Sequence, residues 1–129
     1  MNKALNPTHI APPYKNRYSH AIEVSAGSRT LFISGTVGVK PDGTIPVDFP
    51  AQVEAVMQNL TEILKSGGMD WNDVVKFTGF LTPQGDIPTL AEIRQKYFGA
   101  QKPAMTVVWV AGLADPRWMV EVELVAAKA

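Results

Sequence analysis

The sequence predicts an α+β protein in which two helices cover one face of a β-sheet. Two segments place apolar residues three and four positions apart, a spacing typical of amphipathic helices. The segments around them are rich in β-branched and aromatic residues and end at glycine or proline, which indicates strands. In chain order these segments predict the arrangement β-β-α-β-α-β-β, within one domain that spans residues 1–129.

The N-terminal part is predicted to be an arm followed by a β-hairpin. Residues 1–17 contain several prolines among polar residues, so we expect an extended arm or loop. Residues 18–25 and 29–34 are then expected to pair as two strands joined by a glycine turn. Residues 35–39 can extend the second strand. A turn follows at 41–43, where proline presets φ and glycine accepts a positive φ.

The first helix is the clearest element of the sequence. Asp48 is a suitable N-cap with Pro50 in the first turn, and Gly67 and Gly68 end the helix. A single apolar stripe lies between them, made of Val53, Val56, Met57, Leu60, Ile63 and Leu64. A second, shorter helix is expected over residues 86–98, with its inward face made of Leu90, Ile93, Tyr97 and Phe98.

Three further strands are predicted at 73–81, 106–113 and 118–127. The strand 106–111 is apolar on both faces, whereas a strand with one face in water should alternate. Since two helices cover only one face of the sheet, we infer that another copy of the chain covers the other face. The sequence therefore predicts a homo-oligomer. The alternative is a monomer in which this strand stays partly exposed.

Composition excludes several classes of protein. The chain has no cysteine, and its only histidines are His9 and His20, so disulfides, thiolate chemistry and multi-histidine metal sites are excluded within one chain. It has no glycine-rich phosphate loop, and we expect neither a metal nor another cofactor. Zero net charge gives no general attraction to nucleic acid or membranes, and no apolar run could span a bilayer. We expect a cytoplasmic protein without a nucleic-acid or membrane partner.

Two pairs of side chains are candidates for chemistry. Glu121 and Glu123 share one face of the last strand, opposite the aliphatic residues that should meet the helices. They would therefore face the inferred subunit interface, where a carboxylate partly removed from water can act as an acid or base. The alternative is a pair of solvated glutamates. Tyr18 and His20 share a face of the first strand and could bind an oxygen or move a proton, although their spacing favours a structural role.

Arginines are candidate clamps for a carboxylate, because a guanidinium can donate two parallel hydrogen bonds. The candidates are Arg17, Arg29, Arg94 and Arg117, and any one of them alone is more often a solvated surface residue. Arg17 adjoins Tyr18, but strand alternation is expected to point it away from the tyrosine's face.

Several stretches between residues 18 and 127 resemble the Rid family of reactive intermediate deaminases, also called YjgF or L-PSP proteins. Tyr18-Ser19-His20-Ala21 resembles the family's Tyr-Ser-Gln-Ala, and the strand 31–36 resembles one that ends in Ser-Gly-Gln. Residues 74–82 are similar to the family's central strand. The segments 103–106 and 120–123 resemble its C-terminal Pro-Ala-Arg-Ser and Glu-x-Glu motifs.

This resemblance implies a chorismate-mutase-like fold with a mixed sheet, and a homotrimer with three clefts between subunits. In deaminating members the cleft binds small enamine or imine acids, an arginine clamps the carboxylate, and a glutamate with a bound water promotes hydrolysis. By position, the glutamate corresponds to Glu121 and the aromatic hydroxyl to Tyr18. The substrate-binding positions are Ser34, Gly35, Met105, Thr106 and Trp109. Met105 replaces the clamping arginine, and Ala91 replaces an asparagine that some deaminating members carry in the pocket.

The resemblance thus implies an enamine or imine hydrolase for which 2-aminoacrylate is a doubtful substrate, because a thioether donates no hydrogen bonds to a carboxylate. The first alternative is a non-catalytic ligand-binding or regulatory trimer. A second is the ribonuclease or translation-inhibitor activity attached to some family members. Zero net charge and the lack of a basic-aromatic surface pattern argue against that second alternative.

Overall fold

A four-stranded mixed sheet is the centre of the computed structural model, which describes residues 2–129. Its strands lie in the order β3-β6-β4-β5, with bounds Arg29–Val37 (β3), Val74–Leu81 (β4), Ala104–Trp109 (β5) and Val120–Lys128 (β6). β4 and β5 are parallel, whereas β6 is antiparallel to both of its neighbours. The sheet is therefore mixed, and its connections are long enough to include the helices.

Helices α1 (Phe49–Ser66) and α2 (Ile87–Phe98) lie on one face of this sheet and begin and end where the sequence predicts. The Asp48 carboxylate accepts a hydrogen bond from the Ala51 amide at 2.8 Å, and Asp86 caps α2 in the same way through Thr89 at 2.7 Å. These caps satisfy amides that have no partner inside the helix. α2 ends at Gly99, which has a φ of +58°.

The hydrophobic core lies between the helices and the sheet. Alternate residues of β6 point into it, and Val120, Val122 and Leu124 are all buried. They meet apolar side chains of α1, α2 and β4, including the fully buried Met57 and Phe77. The strand alternation predicted for β6 is thus confirmed, and it leaves Glu121 and Glu123 on the other face of the sheet.

The predicted N-terminal hairpin is wrong. Within the predicted strand 18–25, only β2 (Ala21–Glu23) is a strand, and it pairs with β1 (Lys3–Leu5) in a separate two-stranded sheet, not with β3. The backbone groups of β2 are satisfied by a segment of the predicted arm, which is therefore not extended throughout. A 3-10 turn at Tyr14–Asn16 also interrupts the arm.

The C-terminal strands are shifted from their predicted bounds. β5 begins two residues earlier than expected and ends at Trp109, so the apolar run does not continue as a strand to residue 113. β6 begins at Val120 because residues before it form a turn in which the Trp118 amide donates to the Asp115 carbonyl oxygen at 3.0 Å. No helix within residues 2–129 has the length and apolar content needed to cross a bilayer.

Candidate active site

Glu121 is the candidate catalytic residue on the open face of the sheet. It lies in β6 between Val37 of β3 and Phe80 of β4, and its side chain is half-buried. Glu123 shares this face two residues further along the strand but is exposed. The two carboxylates therefore differ in their access to water although the strand presents them in the same direction.

A β-bulge at Ser34 and Gly35 shapes the surroundings of Glu121. Ile33 pairs with Leu124 and Thr36 pairs with Val122, so two residues of β3 lie opposite one residue of β6. A Cβ atom added at Gly35 would lie 1.9 Å from Oε2 of Glu121. The carboxylate can occupy this place only because residue 35 has no side chain.

The same face continues past the bulge into a shallow cavity of about 300 Å³. Ser34, Lys76 and Glu123 line it, and the Lys76 ammonium donates a hydrogen bond to Thr106 Oγ1 at 3.0 Å. Ser34, Gly35, Thr106 and Glu121, four of the site residues predicted from the sequence, thus lie on the open face.

Tyr18 and Met105 lie elsewhere, beside a cavity of about 220 Å³ at the edge of β5 near helix α2. Tyr14, Arg17 and Arg94 also line this cavity. Its remaining wall is apolar and is formed by Ile87 and Val107. The cavity therefore combines phenol, guanidinium and aliphatic groups.

The segment before β2 is attached to the start of β5, and this attachment positions Tyr18. The buried Ser19 forms a parallel bridge with Ala104, and its amide donates to the Pro103 carbonyl oxygen at 3.1 Å. Tyr18 and His20 consequently project to the same side, with ring centroids 6.0 Å apart and the rings nearly perpendicular. The His20 ring Nε2 lies 2.8 Å from the Ala11 carbonyl oxygen, which holds that ring against the arm.

Strand parity separates these two groups of residues. Met105 pairs with Phe77, which points into the core, whereas Glu121 pairs with Phe80 on the open face. The Tyr18–Met105 cavity and the Glu121–Gly35 surface therefore lie on opposite sides of the same sheet. One chain does not bring its own Glu121 to its own Tyr18 or Met105.

Trp109 is half exposed at the end of β5. Its indole N–H donates to the Gly85 carbonyl oxygen at 3.1 Å, so the ring lies over the connection between β4 and α2. The structure places it with neither the Glu121 surface nor the residues that line the Tyr18 cavity.

The four candidate arginines differ sharply in their environment. Arg29 donates to the Gly67 carbonyl oxygen at 3.1 Å. Arg117 pairs with Asp115 at 2.7 Å, and its hydrogen bonds lower the pKa of Asp115 to about 2. These two guanidinium groups are occupied within the chain.

Arg17 and Arg94 both line the Tyr18 cavity, which corrects the expectation that Arg17 points away from Tyr18. Lys15 and Asn16 have φ values of +51° and +55°, so the chain turns there and strand alternation does not apply to Arg17. Arg94 is buried, although the sequence pattern predicted a surface position for a lone arginine. Helical spacing could have indicated this burial, because Arg94 lies three residues after the buried Ala91 and four after Leu90.

Known proteins resemble this chain along nearly its whole length. The family described as Endoribonuclease L-PSP matches residues 8–128. A mouse protein named 2-iminobutanoate/2-iminopropanoate deaminase is 38% identical over 129 residues, which cover 98% of this chain and 91% of that protein. A protein named DfrA from Myxococcus xanthus is 39% identical and covers 80% of this chain and 79% of its own length.

Solved structures agree with these sequence matches. YyfB of Yersinia pestis, from the conserved Rid protein family, has a TM-score of 0.86 and 30% identity, with 98% of both chains covered. TdcF of E. coli, whose crystal contains bound serine, has a TM-score of 0.73 and 29% identity over 98% of this chain and 94% of its own. The element order, the mixed sheet and these matches together show that the chain belongs to the Rid (YjgF/L-PSP) family.

Proposed function

We propose that this protein hydrolyses a small imine or enamine in clefts between the subunits of a homotrimer. The observation that supports this most directly is the half-buried Glu121 carboxylate, which lies against the backbone of Gly35 on a face that no helix of residues 2–129 covers. The mouse relative is named as an imine deaminase, and that name supports the same reaction class for this chain.

The proposed reaction converts a carbon–nitrogen double bond to a carbonyl group. Glu121 accepts a proton from water while the water oxygen forms a bond to the imine carbon. Proton transfer to nitrogen then allows the carbon–nitrogen bond of the resulting carbinolamine to break. One water is consumed, one ammonia is released, and Glu121 returns to its starting state, so the carboxylate acts as a general base and then as a general acid.

Trimer formation is part of the proposal, because Glu121 and the Tyr18 cavity lie on opposite sides of the sheet within one chain. A neighbouring chain is needed to bring the two together. The open face exposes two large apolar side chains, Phe32 (82%) and Val108 (40%), and covering them would favour association. If a neighbouring subunit covers this face, its Tyr18 cavity can be placed opposite Glu121. A closed ring of three copies would contain three identical clefts.

Met105 is proposed to stand where other family members place a clamping arginine. Its thioether packs against the core and offers no donor to a carboxylate. Substrates with an α-carboxylate beside the imine carbon, such as 2-iminobutanoate, would therefore lack their usual anchor. We infer that such compounds are poor substrates for this protein.

A coupled assay tests the proposed function. The imine is generated in situ, by a dehydratase for α-imino acids and by an amine oxidase for acids whose carboxylate lies further from the nitrogen, and the release of ammonia and of the carbonyl product is followed with and without the protein. A panel in which the anionic group lies at different distances from the imine carbon should include at least one compound whose hydrolysis depends on Glu121. Binding of panel members without faster hydrolysis of any of them would instead favour the non-catalytic ligand-binding trimer.

A further inference from the structure

Arg94 is a buried cation that forms no ion pair within residues 2–129. Only 4% of the residue is exposed, and its guanidinium carbon lies 5.7 Å from the centre of the Phe77 ring. Its Nη1 atom is buried and has no hydrogen-bond partner. A guanidinium has N–H donors on every nitrogen, and leaving a buried donor unsatisfied is costly.

No carboxylate in residues 2–129 compensates this charge. The ion pairs of the described chain involve Lys65 and Arg117, and the charged group that acts on Arg94 is Arg17, which has the same sign. Glu92 lines an adjoining cavity of about 350 Å³ but is exposed and unpaired. Burial and the nearby Arg17 lower the pKa of Arg94 to about 10, so the group is still charged at neutral pH. A buried charge without a counterion indicates that an anion from outside the chain completes the site.

The adjacent cavity has the composition expected for a small amphipathic acid. Arg17 and Arg94 supply positive charge, and the Tyr14 and Tyr18 hydroxyls can donate hydrogen bonds. The opposite wall contains Ile87, Met105 and Val107, which can contact an aliphatic chain.

We propose that Arg94, assisted by Arg17, binds the anionic group of the substrate, and that a short aliphatic chain separates this group from the imine carbon. The inference rests on the proposed function for the reacting end of the molecule. The guanidinium of Arg94 lies over Phe77 of β4, the strand neighbour of Met105, and therefore further into the protein than the edge strand β5. Met105 lines the same cavity as Arg94, so the chain of a ligand bound there lies against the thioether.

The competing explanation is that a carboxylate of a neighbouring subunit pairs with Arg94 in the trimer. Arg94 would then be an interface residue, and no ligand would be needed to neutralise it. The two explanations differ in what happens when Arg94 loses its charge. Loss of an interface ion pair weakens the trimer, whereas removal of an uncompensated buried cation leaves the ligand-free protein as stable as before or makes it more stable.

Binding of unreactive acids tests the proposal without requiring turnover. Acetate, butanoate and hexanoate, with butanamide and hexanamide as uncharged controls, are titrated into the native protein by calorimetry. We expect the acids to bind more tightly than the amides, and hexanoate more tightly than acetate. Arg94→Gln should weaken hexanoate binding by about tenfold or more, because a charge-assisted, bidentate hydrogen bond is lost.

Two further variants and one temperature measurement complete the test. Arg94→Lys keeps the positive charge but cannot form the bidentate hydrogen bond of a guanidinium, so it should bind hexanoate with intermediate affinity. Arg29→Gln removes an arginine remote from the cavity and should bind it like the wild type. The melting temperature of ligand-free Arg94→Gln should equal or exceed that of the wild type.

Equal affinity for acids and amides, or unchanged hexanoate affinity in Arg94→Gln, would overturn the proposal. Dissociation of the Arg94→Gln oligomer with a lower melting temperature would also overturn it and would assign Arg94 to the interface. Hexanoate binding should persist in Glu121→Gln, so a failure of the hydrolase proposal would leave this binding result unchanged.

Discussion

The carboxylate of Glu121 lies so close to the backbone of Gly35 that a Cβ atom added there would be 1.9 Å from Oε2. The two residues are far apart in sequence, on β3 and β6, and the bulge at Ser34 and Gly35 brings them together. Gly35 therefore belongs to the site, because the absence of a side chain there makes room for the Glu121 carboxylate. This close approach gives the first prediction.

Gly35→Ala should displace the Glu121 carboxylate and lower turnover at least tenfold. The atom that must move is the far end of a flexible side chain, so the free energy of unfolding should change by less than about 1 kcal/mol. Gly112→Ala is the matched control, since nothing lies within 4 Å of a Cβ atom at that position. Turnover and chemical denaturation measure the two effects separately. Full activity in Gly35→Ala would show that the position of Glu121 against Gly35 is unimportant.

Glu121→Gln should lower kcat by about 100-fold or more, because the amide can no longer exchange a proton with water in the reaction. Glu123→Gln is the control, as it makes the same change on the same face of the same strand but at an exposed position. Steady-state kinetics on the best substrate of the imine panel compares the two variants. Equal losses in both would contradict the assignment of Glu121 as the proton-transferring group.

Much of the fold follows from short-range patterns in the sequence. The stripe from Val53 to Leu64 and the caps at both ends predict α1, and its observed bounds are Phe49–Ser66. Strand alternation predicts that Val120, Val122 and Leu124 point into the core. These features depend on periodicity and on local hydrogen bonds, which a single sequence contains.

The features that the sequence did not predict depend on contacts between distant segments. β2 pairs with Lys3–Leu5, and Ser19 just before it bridges to Ala104 of β5, so both contacts join segments that are far apart in the chain. The direction of Arg17 depends on two residues with positive φ, a conformation that neither lysine nor asparagine requires. The separation of Tyr18 from Glu121 follows from the register between strands, which the parity of one strand alone does not define.

The oligomer should dissociate when a charge is placed on the open face. Phe32→Asp would bury a carboxylate at the proposed interface. If the protein were a monomer, the same change would place a charge in water and only make the protein more soluble. Val47→Asp is the control, because Val47 is 94% exposed in the connection between β3 and α1. Sedimentation equilibrium should give three times the chain mass of 14.0 kDa for the wild type and Val47→Asp, and a lower mass for Phe32→Asp. A wild-type protein that sediments as a single chain would refute the trimer.

Short α-imino acids should be poor substrates of the wild type. Loss of a bidentate hydrogen bond to their carboxylate is expected to cost roughly 2–5 kcal/mol, or about 30-fold to several thousand-fold in kcat/KM. Met105→Arg should recover part of this loss, and the recovery should be larger with Arg94→Gln in the same chain, since a third guanidinium beside Arg17 and Arg94 adds repulsion. Kinetics of the two single variants and the double variant with 2-iminobutanoate measure this. Efficient hydrolysis by the wild type would show that the position of Met105 is not decisive.

Mixed trimers test whether one subunit supplies Tyr18 and its neighbour supplies Glu121 to the same cleft. Tyr18→Ala and Glu121→Gln, each expected to be strongly impaired alone, are unfolded together in equal amounts and refolded. Random assembly of three subunits gives one fully wild-type cleft in every mixed trimer. The mixture should therefore recover about one quarter of the wild-type activity. If the mixture is no more active than the two variants measured separately, both residues act within one subunit and no cleft is shared between subunits.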